Sequence, residues 1–192
     1  MAVQNLLSVC LFILFAAMVL VRAAMLRKRG IRAIVFGQTD KSDFILVPLV
    51  LIIAYTALAN TFGLPMWSVL IRPFWNNDIP GWVGLLLCIA ANIGFALTLA
   101  AFGDSFRVGI DENKPDKLIT SGMFKISRNP IYICFHMFFI GLFLIHRNIV
   151  IAVAVVLFAL AIHRQVLREE KFLAKHYSAE YDEYRKKVRR YL

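Results

Sequence analysis

Apolar residues in this chain do not alternate with polar ones; they run in long blocks joined by short polar links. Residues 1–21 carry no charged side chain, and Arg22, Arg27, Lys28, Arg29 and Arg32 follow. A secretory signal would place its positive charge ahead of the apolar core. The pattern instead predicts a retained transmembrane helix over roughly residues 3–25, near the ~20 residues a bilayer needs, with the basic run anchoring it at the inner face. Phe44 to Phe62 predicts a second span, with Pro48 in its first turn and Gly63-Leu64-Pro65 breaking it. Residues 66–80 hold two prolines and, with the residues just beyond, Trp67, Trp75 and Trp82. They read as an interfacial segment, the depth Trp favours, or as a short re-entrant piece over Leu64–Ile71. Gly81 to Phe102 predicts the third span, in which Asn92 is expected to bond a neighbouring helix.

A long polar loop follows, from Gly103 to Ser127. Asn129 or Pro130 opens a fourth span ending near Ile145. His146-Arg147-Asn148 reads as a tight turn, and Ile149 to Ile162 is the fifth span. Spans four and five are short for a simple crossing. They require neighbours, a tilted or buried hairpin, or extension of the fifth helix through the polar residues after it. From His163 the chain turns charged, with Val166, Leu167, Phe172 and Leu173 at helical spacing. A basic amphipathic helix on anionic lipid accounts for Arg185–Arg190. It does not account for the paired acids Glu169-Glu170.

The expected fold is therefore all-α: one polytopic membrane domain over residues 1–192, with about five transmembrane helices. Residues 1–102 form three N-terminal spans. Residues 103–192 form the polar loop, a helical hairpin and a C-terminal amphipathic segment. Arg27, Lys28, Arg29, Arg32 and Lys41 share one face with Arg107, Lys114, Lys117, Lys125, Arg128 and the tail, while only Arg72 and Arg147 face the other side. The positive-inside rule gives N-terminus out and C-terminus cytoplasmic, equally suited to a bacterial inner membrane or the endoplasmic reticulum.

Composition agrees. Of 192 residues, 60% are hydrophobic, against about 45–50% in soluble domains. The net charge of +10 is explained by membrane topology and calls for no nucleic acid. Cys10, Cys88 and Cys134 sit inside apolar runs with neither disulfide nor metal spacing, and read as small buried hydrophobes. The four histidines are scattered, so no metal is expected.

Chemistry concentrates in Leu118–Tyr132, where a charged loop meets an apolar helix. Pro130 is cheap at a helix start, because its missing N–H would be an orphan there. Gly122 fits a tight turn whose backbone can approach a ligand. The helix N-terminal amides suit an anion. The alternative is a connecting loop with nothing bound.

The spacing Leu118-Ile119-x-x-Gly122-x-Phe124-x-x-x-Arg128-Asn129-Pro130-x-Tyr132 resembles the LVxxGxYxxxRHPxY loop of isoprenylcysteine carboxyl methyltransferases and patterns in their phospholipid N-methyltransferase relatives. Glu169-Glu170 followed by Tyr181-Asp-Glu-Tyr184 resembles the family's EE…EYxxY ending. The resemblance covers roughly residues 100–192. It implies an S-adenosylmethionine-dependent methyltransferase, with the cofactor enclosed by the loop between spans three and four, the last two helices and the C-terminal segment. By position it implies that Lys117, Leu118 and Ile119 line the cofactor, with Gly122 in the same loop. Phe124, in place of the family's Tyr, packs on the adenosine. Asn129, Pro130, Ile131 and Tyr132 form the closing turn, and Glu169 holds the polar end. Arg128, Tyr132 and Glu170 are the catalytic candidates; Glu170 or Tyr132 would help an amine lose its proton.

Chemistry supports this independently. S-adenosylmethionine carries a sulfonium and an ammonium, natural partners for paired acids. Methyl transfer needs a near-attack geometry in a dry site more than an acid or base. Surface pairing of Glu169-Glu170 with Arg168 and Lys171 is the structural alternative. Two positions depart from the family: RHP is RNP here, and Gln165, flanked by Arg164 and Arg168, stands where the carboxyl methyltransferases hold substrate with Arg. Gln cannot supply a charged bidentate grip. Gln165 and Arg168 are the substrate-binding candidates. The expected substrate is lipidic or amphiphilic, entering from the membrane lipids, with a carboxylate, thiol or amine as acceptor. The competing functions are an NADPH-dependent sterol-type reductase and a non-catalytic membrane scaffold.

Overall fold

The structure, a computed structural model, describes residues 3–29, 44–102 and 118–192. Arg32, Lys41, Arg107, Lys114 and Lys117 lie outside these residues. Among the described residues six α-helices follow in order: α1 (Val3–Lys28), α2 (Leu46–Phe62), the short α3 (Ser68–Ile71), α4 (Ile79–Phe102), α5 (Pro130–His146) and α6 (Ile149–Lys187). A 3-10 turn at Gly122–Lys125 precedes α5, and no strand occurs among the described residues. α1, α4 and α6 are long and apolar enough to cross a membrane, and α2 and α5 are shorter apolar helices.

Local chemistry sets the helix ends. α2 stops because Gly63 takes the left-handed conformation at φ 70° and returns its N–H to Ala59 O, the glycine C-cap. α5 begins with Pro130 in its first turn. Only Arg147 and Asn148 separate α5 from α6, and Asn148 Oδ1 accepts from Ile151 N at 3.0 Å, capping α6. α4 starts at Ile79, two residues earlier than the apolar run suggests, because Pro80 is tolerated in a first turn.

α4 and α5 form the most extensive helix pair. They approach through glycine: a Cβ on Gly141 would lie 2.6 Å from both Gly84 O and Cys88 Sγ. Around this contact Phe15 of α1 stacks on Phe95 of α4 and Phe138 of α5, at centroid distances of 4.5 and 4.6 Å. Cys88 and Cys134 are buried as expected, whereas Cys10 is exposed on α1. Asn92 departs from expectation. Its Nδ2 bonds Cys88 O of its own helix at 2.9 Å, because the carbonyl one turn back is the nearest acceptor.

At the far end of the bundle a buried polar knot joins three helices. Asn60 Nδ2 meets His146 Nδ1 at 3.1 Å, His146 Nε2 meets Ser8 Oγ at 3.0 Å, and the Ser8 hydroxyl donates to Asn5 O at 2.7 Å. Since the Ser8 proton is committed to Asn5, this network assigns the ring hydrogen to Nε2 and leaves Nδ1 to accept from Asn60.

α6 takes the extension through the polar residues, one of the alternatives for a short fifth span. It does not stop near Ile162 but runs on through the polar residues to a kink at Ser178 (φ 43°, ψ −114°), beyond which a second helical segment reaches Lys187. A helix gains one hydrogen bond for each residue added, and the charged second half finds partners on the rest of the protein. Nor does this half lie as a purely lipid-facing amphipathic helix: Tyr181 and Tyr184 are buried in a cluster with Leu118 and Phe124.

Candidate active site

The mouth of the α5–α6 hairpin gathers the polar residues of the two motifs. Pro130 fixes the start of α5, so Arg128 and Asn129 lie just outside the helix and Tyr132 lies in its first turn. Across from them, Gln165, Glu169 and Glu170 project from the continuous middle of α6. Residues four apart on a helix share a face, which brings Gln165 and Glu169 together; Glu170, one position further, turns toward a different neighbour.

Two polar groups result. In the first, the half-buried Glu169 accepts through Oε1 from the Tyr132 hydroxyl at 2.5 Å and from Gln165 Nε2 at 3.1 Å. Gln165 is 3% exposed, and its Oε1 is buried with no hydrogen-bond partner among the described residues. A buried, unsatisfied carbonyl oxygen is costly, so a ligand N–H or O–H there would be strongly favoured. The half-buried Arg168 lies on the next turn of the same helix.

In the second group, Glu170 is held from three sides. Asn129 Nδ2 donates to Oε1 at 3.0 Å, Arg128 pairs with Oε1 at 3.3 Å, and Arg190 Nε donates to Oε2 at 3.0 Å. Arg190 also approaches the same oxygen through its terminal nitrogen, at 3.0 Å, so two guanidinium nitrogens share Oε2 in a charge-assisted contact. Its hydrogen bond to Glu170 raises the Arg190 pKa. Both carboxylate oxygens of Glu170 are thus engaged, which fits an orienting group better than a proton acceptor. Glu170 points inward rather than pairing along the helix surface.

The loop residues sit on a third surface. Leu118 and Phe124 pack with Tyr181 and Tyr184, with Ile119 against them. Phe124 meets Phe102 edge-on at 4.6 Å and its carbonyl accepts from the Tyr184 hydroxyl at 2.7 Å. Gly122 has φ 60°, and a Cβ there would lie 2.8 Å from that of Ala101. Its requirement for glycine is therefore met by the turn and by α4. Arg128 bridges this cluster to the second group, its Cζ lying 5.8 Å from the Tyr181 ring centroid. Ile131 packs on the main core, and Asn129 and Pro130 are buried. Arg128 and Glu170 thus tie the loop aromatics to α6 at the position next to Glu169. Arg190 was missed by sequence reasoning; a tail arginine ahead of Tyr191 carries no local signal of a buried partner.

A scan of protein-family models matches the phospholipid methyltransferase family over residues 79–180. The chain belongs to the phospholipid methyltransferase family. The match begins with α4, earlier than the motif resemblance, and ends just before Tyr181. A search of curated proteins finds no match. Membership makes the protein a membrane methyltransferase of lipid substrates.

Proposed function

We propose that this phospholipid methyltransferase family member transfers a methyl group from S-adenosylmethionine to an amphiphilic lipid acceptor at the α5–α6 mouth. The single observation that carries the reading is the Tyr132–Glu169–Gln165 group. A carboxylate there is oriented by two donors, beside a buried oxygen that lacks one. This acceptor-rich donor set fits a cationic, N–H-bearing cofactor. When bound, S-adenosylmethionine supplies the electrophilic methyl group. Glu169 would hold its positive end, Tyr132 would keep that carboxylate aimed, and Asn129, Pro130 and Ile131 would shape the turn beside it. Leu118, Ile119 and Phe124 offer the apolar wall that an adenosine requires, with Lys117 next to them in sequence. Arg128 and Glu170 brace this frame.

On the acceptor side, Gln165 spends its amide nitrogen on Glu169 and offers only a carbonyl oxygen. A carboxylate acceptor would meet like polarity there, whereas an amine brings the missing donor. With Glu170 fully engaged, an amine proton would leave through the Tyr132 hydroxyl only as that hydroxyl passes its own proton to Glu169, the carboxylate it already donates to. Gln165 and Arg168 border this side. We infer further that residues 1–192 act as one domain crossing the membrane five times, N-terminus outside, so that the site opens at the cytoplasmic face.

Calorimetric titration of S-adenosylhomocysteine, and separately NADPH, into the detergent-purified protein tests this. Binding of S-adenosylhomocysteine that Glu169→Gln removes is expected. Binding of NADPH instead would transfer the site to reductase chemistry. Binding of neither by folded protein would overturn the site.

A further inference from the structure

Residues 188–191 do not trail away from the protein. After α6 ends at Lys187, the chain doubles back along the segment before α5. Arg128 N donates to Arg189 O at 2.9 Å. Arg190 O accepts from Ser127 Oγ at 3.0 Å and from Asn129 Nδ2 at 3.1 Å. The Ser127 hydroxyl in turn accepts from Asn129 N at 3.1 Å. Beyond Arg190, the Tyr191 hydroxyl meets His163 Nδ1 at 2.9 Å, fastening the strap to α6. The strap therefore supplies two backbone carbonyls to three consecutive residues of the turn, and its one inward charge, Arg190, to Glu170. It lies wholly beyond the segment matched by the family.

We propose that Arg190 is a positioning residue: through Glu170 and through its own carbonyl it holds the Arg128-Asn129-Pro130 turn in the arrangement that the cofactor site requires. Arg190 touches neither Tyr132, Glu169 nor Gln165 by any hydrogen bond seen here. It acts on both partners of the Tyr132–Glu169 bond at one remove. Asn129, which the strap carbonyl holds, immediately precedes the helix turn bearing Tyr132. Glu170, which the guanidinium holds, adjoins Glu169 on α6. The electrostatics agree. Glu170 has a side chain only 10% exposed, and one buried carboxylate is balanced here by two guanidiniums and an amide. A basic tail lying on anionic lipid would keep its arginines outward and its carbonyls on water. Here Arg190 turns in while Arg189, beside it, stays exposed.

This inference rests on the cofactor reading, so its test has one arm independent of cofactor. Hydrogen–deuterium exchange of the full-length protein is followed over the Ser127–Pro130 segment, and S-adenosylhomocysteine affinity is measured by calorimetry. The variants are Arg190→Ala, Arg190→Lys, Glu170→Gln and the double variant Arg190→Ala with Glu170→Gln. Arg190→Ala is expected to speed exchange at the Arg128 amide and to weaken binding about tenfold, the scale of one charge-assisted contact. Arg190→Lys should recover part of both effects, since it restores charge without the fork. Because Arg190 acts through Glu170, the double variant should bind little worse than the weaker single one; independent effects would multiply. Unchanged exchange in Arg190→Ala overturns the proposal. So does faster exchange with undiminished affinity, or multiplying losses. If the wild type binds no S-adenosylhomocysteine, the cofactor reading fails, and the exchange arm still decides whether Arg190 holds the turn.

Discussion

The Tyr132 hydroxyl lies 2.5 Å from Glu169 Oε1, tying the first turn of α5 to the middle of α6 across 37 residues of sequence. The donor is neutral and the acceptor a carboxylate, so the bond belongs to the stronger class. It fixes the direction in which Glu169 presents its charge.

Tyr132→Phe keeps the ring and removes only this donor. It should weaken S-adenosylhomocysteine binding by about tenfold, in line with ~1.5 kcal/mol for a hydrogen bond to a charged group. The fold should persist, because the ring retains its packing on the core. Calorimetry with a parallel melting curve checks this. Unchanged affinity would mean that Glu169 is not aimed by Tyr132.

Gln165→Leu separates ligand binding from stability. The substitution removes a donor to Glu169, but also a buried oxygen that has no partner. The two terms oppose each other, so the ligand-free melting temperature should change by no more than the few degrees that ~1 kcal/mol produces in a chain of this size. The melting shift caused by added S-adenosylhomocysteine should shrink, because the group that would receive the ligand is gone. A large drop in ligand-free stability with an intact ligand shift would reverse the assignment.

What the sequence makes legible follows how local the signal is. Uncharged blocks mark α1, α2 and α4, and Pro130 marks the start of α5, since helix length and proline position act within a few residues. Glu169-Glu170 stood out because paired acids are misplaced beside anionic lipid. The different fates of the pair were not legible: Glu170 is decided by Arg190, 20 residues away, and by Asn129, 41 residues away. No pattern in Arg185–Arg190 says which arginine turns inward. The kink at Ser178 involves neither Gly nor Pro. The Ser8–His146 contact spans 138 residues and depends on helix order in the bundle, which hydropathy does not encode.

Gly141→Ala should be among the more damaging small substitutions in the bundle. The added methyl meets a backbone carbonyl, Gly84 O, as well as Cys88 Sγ, and a backbone atom of a packed helix cannot rotate away. α4 and α5 must separate, at a cost of about 1–3 kcal/mol by the usual scale of overpacking. Gly94→Ala is the control: its nearest neighbour, Cys134 Sγ at 3.1 Å, is a side-chain atom able to shift. Melting curves in detergent should show a loss of several degrees for Gly141→Ala and a smaller one for Gly94→Ala. Equal effects would mean that helix approach is not set by the Gly84–Gly141 contact.

Alkaline pH should open the loop cluster before the helical bundle. Tyr181 and Tyr184 lie beyond the apolar half of α6, and burial pushes both phenols up to about 12 from an ordinary value of 10.0. For Tyr181, the neighbouring Glu170 carboxylate adds to the rise. A group whose pKa is raised on folding binds its proton more tightly in the native state. The stability it contributes is therefore complete below pH 10 and is lost as pH climbs from about 10 toward 12. Since the two rings cover Phe124 and Leu118, ionisation should release the 118–125 segment together with the second half of α6. Phenolate absorbance recorded beside proteolytic cleavage within 118–125 would test the order of events: cleavage should rise with the last phenolates to appear, while α4 and α5 stay protected. Tyr181→Phe should move the onset of cleavage to higher pH, because it removes one ionisable group and keeps the buried ring. An onset unmoved by that substitution would place the alkaline weakness elsewhere.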